Sequence, residues 1–363
     1  MRTIVTLILG CFMGQVFAQE IPMFVGTYTN KGSQGIYLYM FNTQDGTASL
    51  YANTKSDDPS FLARSADGNM LYAVNERGDS TAALSSFTFD GDVLSFVNAL
   101  PTDGSYPCHV AVGAKTPLAV VSNYGGGSLA VYRIEQNGAI GEKIQQIQQE
   151  GTGPNKERQE ASHVHSAFFS PDEKQVFVQN LGTDKVTIYR IAKEKDTYGL
   201  VEDGQLSTPA GGGPRHVVFD AKGKNLYVLL EMSAQIVHYL RDGKVWQLVD
   251  TMSINADDFK GKDGAAEIKL SPDGKFLYAS NRGDANSITL FAIEKSGMLQ
   301  KKNVYSTGGE GPRNFNITPD GKFLLVANQS TDNIVVFERN TSTGELTNTG
   351  KEIEVSSPVC IVF

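Results

Sequence analysis

Arg215, His216 and Glu231 are the residues from which a reaction could be built. A guanidinium binds or polarises an oxyanion, an imidazole moves protons near neutral pH, and a carboxylate acts as base or ion-pair partner. The stretch that holds them, GPRHVVFDAKGKNLYVLLE from Gly213 to Glu231, reads as two short strands around a glycine-bearing turn. In an antiparallel hairpin the first residue of one strand lies beside the last of the other. The spacing therefore places all three groups on one rim, opposite the turn.

The same device recurs along the chain. Units begin at Pro59, Pro107, His163, Gly213, Ala265 and Pro312, and the chain ends with Pro358 to Phe363, the first strand of one more unit. Each complete unit reads as a strand, a turn of Asp-Gly type, a strand ending in Asn or Glu, a short loop and an alternating strand. A weaker fourth strand usually follows. A spacing of roughly 46–56 residues with four short strands apiece belongs to β-propeller blades. The final unit lacks three strands, and MFVGTYT, GIYLYMF and the segment around Leu50 supply three at the N-terminus. Joining the two ends in one blade removes two exposed sheet edges. The prediction is all-β: a seven-bladed propeller of four-stranded blades, its ring closed by N-terminal strands pairing with the C-terminal strand. No segment has sustained helical periodicity. No interior linker divides the chain, so residues 19–363 are expected to form one domain.

Residues 1–18 stand apart. Arg2 precedes an apolar run from Ile4 to about Met13, and Val16-Phe17-Ala18 suits signal cleavage, so cleavage after Ala18 and export to the periplasm or medium are expected. A lipid anchor on Cys11 would leave a very short apolar centre. The run is also too short for a permanent membrane span. Cleavage leaves Cys108 and Cys360, in units that are not neighbours, and two lone buried thiols are expected. With 363 residues and a net charge of −8 the chain has length for a large core and no general basic footprint for nucleic acid.

The starts of first strands and the ends of second strands from all blades crowd one mouth of a propeller's channel. These slots hold Arg64, Asn75, Glu76 and Arg77; His109 and Asn123; His163, His165 and Asn180; Arg215, His216 and Glu231; Glu267, Asn281 and Arg282; and Arg313, Asn314 and Asn328. Four of the chain's five histidines are among them. The repeated Asn at positions 75, 123, 180 and 328 reads as a backbone-binding device at strand ends. His109 and His216 suit either a channel wall or a ligand contact. His163 and His165, two apart on a strand, fall on one face and could hold a metal with Glu231, but no further carboxylates gather there. The arginines 215, 282 and 313 outnumber Glu231 and Glu267, so a small anionic ligand is expected. The insertions 145–161, 251–264 and 308–311 precede first strands and lie on this same rim.

HVHSAFFSPD at His163, GPRHVVFD at Gly213, LLE ending at Glu231, AAEIKLSPDGKFLYASNR at Ala265 and GPRNFNITPDGKFLLVANQSTDNIVVF at Gly311 carry a resemblance over essentially the whole mature chain. The sequence resembles the seven-bladed lactonase family of propeller-type 6-phosphogluconolactonases and carboxy-cis,cis-muconate cyclases. That resemblance implies a catalytic set of one histidine of the HVH pair, His165 in preference to His163, with Arg215, Glu231 and Arg282, and no metal or organic cofactor. His163, His109, His216, Glu267, Arg313 and Asn281 form the surrounding candidate substrate-binding set. The implied reaction is metal-independent acid/base hydrolysis of a sugar lactone, phosphorylated or not, or of a similar anionic ring. In it the arginines hold the anion and the growing oxyanion, with Glu231 the preferred base. Two alternatives share the fold: a muconate-type cyclase running ring closure, and a non-catalytic binding propeller of the cell envelope. Export also conflicts with a cytoplasmic sugar phosphate as substrate.

Overall fold

The computed structural model describes residues 20–363 apart from 196, so the expected signal segment lies outside the described residues. Seven antiparallel sheets of four strands form the ring. Blade 4, for example, runs outward through Pro214–Phe219, Asn225–Leu230, Gln235–Asp242 and Val245–Ser253. Blade 7 joins the chain ends as expected: Pro358–Val362 pairs with Glu20–Thr27, with Phe24 opposite Val362 and Val25 opposite Ile361. Among the described residues the only helical element is a single 3-10 turn, Leu181–Thr183, and no helix is long and apolar enough to cross a membrane.

The hairpins are set by local chemistry. In blade 5 the Ser271 hydroxyl donates to Asp273 at 2.5 Å, and Asp273 accepts the Lys275 amide at 3.1 Å. Thr318, Asp320 and Lys322 repeat this in blade 6 at 2.7 and 3.1 Å. Gly274 and Gly321 supply the positive φ, 67° and 75°, at which each turn reverses. Second strands such as Phe323–Asn328 are buried at every residue, whereas outer strands such as Leu346–Glu354 alternate between exposed and covered positions. Position in the blade, rather than propensity alone, selects the two patterns.

Seven apolar clusters lie between neighbouring blades, one at each junction, including the one that joins blades 7 and 1 through Phe24 and Phe89. Each fully buried large side chain contributes about 1.5–3 kcal/mol. A repeated polar lock adds to them. Tyr72, Tyr227 and Tyr278 each donate to a glycine carbonyl in the next blade's outer turn: Gly138 at 2.8 Å, Gly297 at 2.6 Å and Gly344 at 2.5 Å. The ring is thus closed by side chains as well as by strand pairing, and it fixes where each inner strand begins.

Candidate active site

The inner strands do not start as regular hairpins. A register shift falls between Pro107 and His109, Val164 and Ser166, Pro214 and His216, Ala265 and Ile268, and Pro312 and Asn314. Each β-bulge inserts an unpaired residue and re-aims its side chain. The inserted residues are Cys108, His165, Arg215, Ala266 and Arg313. Val359 holds the matching place in blade 7, where the shift lies opposite Pro358 and Cys360. In blade 1 Val74 donates to the Phe61 carbonyl, so Ser60 is the equivalent residue. One ring of side chains therefore surrounds the axis, and the next residue of each strand forms a second ring: Phe61, His109, Ser166, His216, Glu267, Asn314 and Cys360.

The first ring opens on a cavity of about 880 Å³. Its wall includes the bulge residues Cys108, His165 and Arg313. It also includes the residues just beyond the second strands, Glu76, Tyr124, Glu231, Arg282 and Gln329. Loops add Arg158, Asp263, Asp284 and Glu310. Glu231 is the centre of the charge arrangement. Arg158 Nη2 donates to its Oε1 at 2.8 Å, and Arg215 Nε to its Oε2 at 3.0 Å. Arg282 Nη2 lies 3.2 Å from Oε2, and His165 Nε2 lies 3.9 Å from the same oxygen. Burial by itself would raise this carboxyl, but Arg282, Arg215 and Arg158 overrule it and hold it at about 2. Burial lowers Arg282 to about 10 against the pull of Glu231, so it is still a cation at neutral pH. His165 is pushed well below 6.5, first by burial and then by Arg215, and is neutral there.

Arg215 is 3% exposed and lies under the cavity rather than on its wall. Besides Glu231 it donates to the Ala266 carbonyl and approaches His216 Nε2 at 3.4 Å. The other nitrogen of His216, Nδ1, lies 2.9 Å from Glu267, and Asn314 Nδ2 donates to the second Glu267 oxygen at 2.5 Å. This pairing assigns the proton of His216 to Nδ1 and leaves Nε2 to accept from Arg215. His216 and Glu267 thus belong to a buried layer that holds Arg215. His109 is 2% exposed, packs at 4.2 Å from the Phe61 ring and 4.7 Å from that of Phe168, and among the described residues has no partner for either ring nitrogen. Below the cavity the channel is therefore plugged by imidazole and phenyl rings.

The two-residue spacing of His163 and His165 does not bring them together as ligands, because the bulge breaks the alternation. His163 stacks on Tyr124 at 4.6 Å, and its Nε2 lies 3.1 Å from Glu160. Among the described residues no three His, Cys, Asp or Glu groups converge in a way that could hold a metal. Asn281 is fully buried and binds loop groups: its Oδ1 accepts the Gly264 amide at 2.9 Å and its Nδ2 donates to Asn255 at 2.6 Å. The Asn residues at 75, 180 and 328 hold incoming loops in the same way.

The description "Lactonase, 7-bladed beta-propeller" belongs to a family model that matches residues 22–363. The chain belongs to the seven-bladed β-propeller lactonase family. That makes it a lactonase, as the motifs led one to expect. A 6-phosphogluconolactonase of Bacillus subtilis strain 168 is 33% identical over 346 residues, covering 94% of this chain and 97% of the relative. A 6-phosphogluconolactonase of Formosa agariphila is 36% identical over 345 residues, covering 92% and 97%. Among solved structures, a periplasmic gluconolactonase from Pseudomonas aeruginosa superposes with a TM-score of 0.89 at 32% identity, covering 95% of this chain and 99% of that one.

Of the residues expected to do lactonase chemistry, His165, Glu231 and Arg282 share the cavity wall and Arg215 supports them from beneath. Arg313 is on the wall, whereas His109, His163, His216, Glu267 and Asn281 are not. Arg158 and Tyr124 were missed. Arg158 sits in the insertion that sequence placed on this rim, but an irregular loop has no period from which a side chain's direction can be read. Tyr124 stands one residue beyond the repeated Asn, in the place that Glu231 and Arg282 occupy in their blades. That alignment, had Glu231 been set one residue past the Asn column, was the available signal.

Proposed function

We propose that the chain hydrolyses a sugar lactone by activating water between His165 and Glu231, without a metal. The observation that carries this reading is the Glu231 carboxylate clamped by three guanidinium groups with a neutral imidazole 3.9 Å away. That gap is too long for a direct hydrogen bond, but a water can bond to both groups. The Glu231 oxygens are taken up by three guanidinium groups that hold it ionised, so His165 Nε2 is assigned the proton in place of Glu231. The water oxygen attacks the lactone carbonyl carbon as His165 Nε2 accepts its proton. Arg282 stabilises the tetrahedral oxyanion, and Glu231 stabilises the new imidazolium. Collapse breaks the bond to the ring oxygen, which takes the proton from His165, and a hydroxy acid leaves.

The names of the relatives support sugar lactones, phosphorylated and not, as the first substrates to try. The signal segment would put the reaction outside the cytoplasm, which opens the screen to sugar lactones other than a cytoplasmic sugar phosphate, and N-terminal sequencing of the exported chain tests the export. Ring opening is followed by pH-stat on glucono-δ-lactone, its 6-phosphate and other aldonolactones. His165→Gln should lower kcat by about 10²–10⁴-fold on the best of them while melting within a few degrees of the parent. Parent-level turnover by this variant would remove His165 from the mechanism.

A further inference from the structure

The four arginines at the mouth are not equivalent. Arg158 is bound to Glu231 and the Tyr124 hydroxyl. Arg215 is bound to Glu231, the Ala266 carbonyl and His216, and Arg282 to Glu231 and the carbonyls of Gly264 and Ala265. Arg313 has none of this. Among the described residues it makes no ion pair within 4.0 Å and no hydrogen bond, and its guanidinium lies 5.4 Å from the centre of the Tyr28 ring. Tyr28 is fixed in turn by donating to Glu76 at 2.7 Å. Glu76 and Glu231 offset its charge at longer range, as does the Tyr28 face, but none of them takes up its donors. The bulge of blade 6 nonetheless sets Arg313 in the cavity wall, in the place His165 takes in blade 3.

We propose that Arg313 is the specificity-determining anchor for an anionic substituent, a phosphate or carboxylate, on a substrate whose lactone carbonyl lies at Glu231 and His165. This rests on the lactonase reading and adds to it a division of labour. The clamped arginines spend their donors on Glu231 and nearby carbonyls, and the unclamped one keeps its donors for the substrate. A guanidinium with its donors unspent offers two parallel hydrogen bonds to either group. The acidic side chains Asp263, Asp284 and Glu310 in the same wall disfavour an anion in front of them and accept from sugar hydroxyls.

The test compares the parent with Arg313→Gln and Arg313→Lys on a neutral aldono-δ-lactone and on its 6-phosphate. Loss of a charge-assisted pair should lower the ratio of kcat/KM for the phosphorylated over the neutral ring by about 10–100-fold in the Gln variant, mostly through KM, with partial recovery in Lys. An equal fall on both substrates, or a parent that prefers neither the 6-phosphate nor the corresponding 6-carboxylate lactone over the neutral ring, overturns the assignment. Calorimetric binding of 6-phosphogluconate and of inorganic phosphate separates this from the lactonase reading. If no lactone is hydrolysed but 6-phosphogluconate binds the parent at least about 10-fold more tightly than Arg313→Gln, the anchor stands and the chemistry falls. Equal binding by both removes the anchor.

Discussion

Two rings of side chains, one residue apart along the same strands, differ in what they can do. The bulge ring, with His165, Arg215 and Arg313, borders the cavity or supports its charged floor. The ring beneath it, with Phe61, His109, His216 and Glu267, is buried, and its paired polar groups hold one another and the underside of Arg215. Three histidines that look alike in sequence thereby divide. His165 faces Glu231, His216 faces Glu267, and His109 faces two phenyl rings. The lesson is that register, set by one extra residue per strand, separates chemistry from support.

The comparison can be broken from the lower ring. His216→Phe removes the acceptor for Arg215 and the partner of Glu267, leaving a buried carboxylate short of a bond. It should cost about 1–3 kcal/mol of stability, read by urea unfolding. It should also lower kcat more than it raises KM, because Arg215 loses its seat under Glu231. A variant as stable and as active as the parent would show that the two rings are uncoupled.

A smaller effect sharpens the same contrast. His109 and His165 are pushed well below 6.5 and His216 to about 4, in each case first by burial. The unfolded chain then binds more protons than the folded one between those values and 6.5. Stability from these groups is full above pH 6.5 and is lost as the pH falls toward 4. His109→Phe removes one such group together with two unpartnered nitrogens. It should lessen the slope of stability against pH in that window by up to about 1.4 kcal/mol per pH unit, measured by urea titrations at several pH values. An unchanged slope would mean that His109 takes up its proton in the folded state.

Much of this was legible in advance, for a physical reason. Propeller blades repeat, so the turn signals around Gly274 and Gly321 and the apolar second strands mark the units, and the orphan strand at Pro358 marks the closure. Glu231, Arg282 and His165 stand at strand ends, which hairpin geometry sends to one rim. What strand alternation hides is the bulge. Hairpin ends put Arg215 and His216 on one rim, and period two put His163 with His165, whereas the extra residue lifts Arg215 toward Glu231 with His216 packed beneath it and separates His163 from His165. Arg158 was beyond reach because its loop has no period, although it supplies one of the three cations on Glu231. The free thiols were legible from blade position: Cys108 and Cys360 are both buried and unpaired.

The central claim is that the carboxylate of Glu231, clamped by Arg158, Arg215 and Arg282, organises the reaction. The direct measurement is kcat/KM of Glu231→Gln on the best lactone of the parent, with circular dichroism confirming an intact all-β fold. The account predicts a fall of at least about 10²-fold, since the imidazolium loses its counter-charge and the arginines their anchor. Turnover within about 3-fold of the parent, a loss of well under 1.4 kcal/mol, would contradict it.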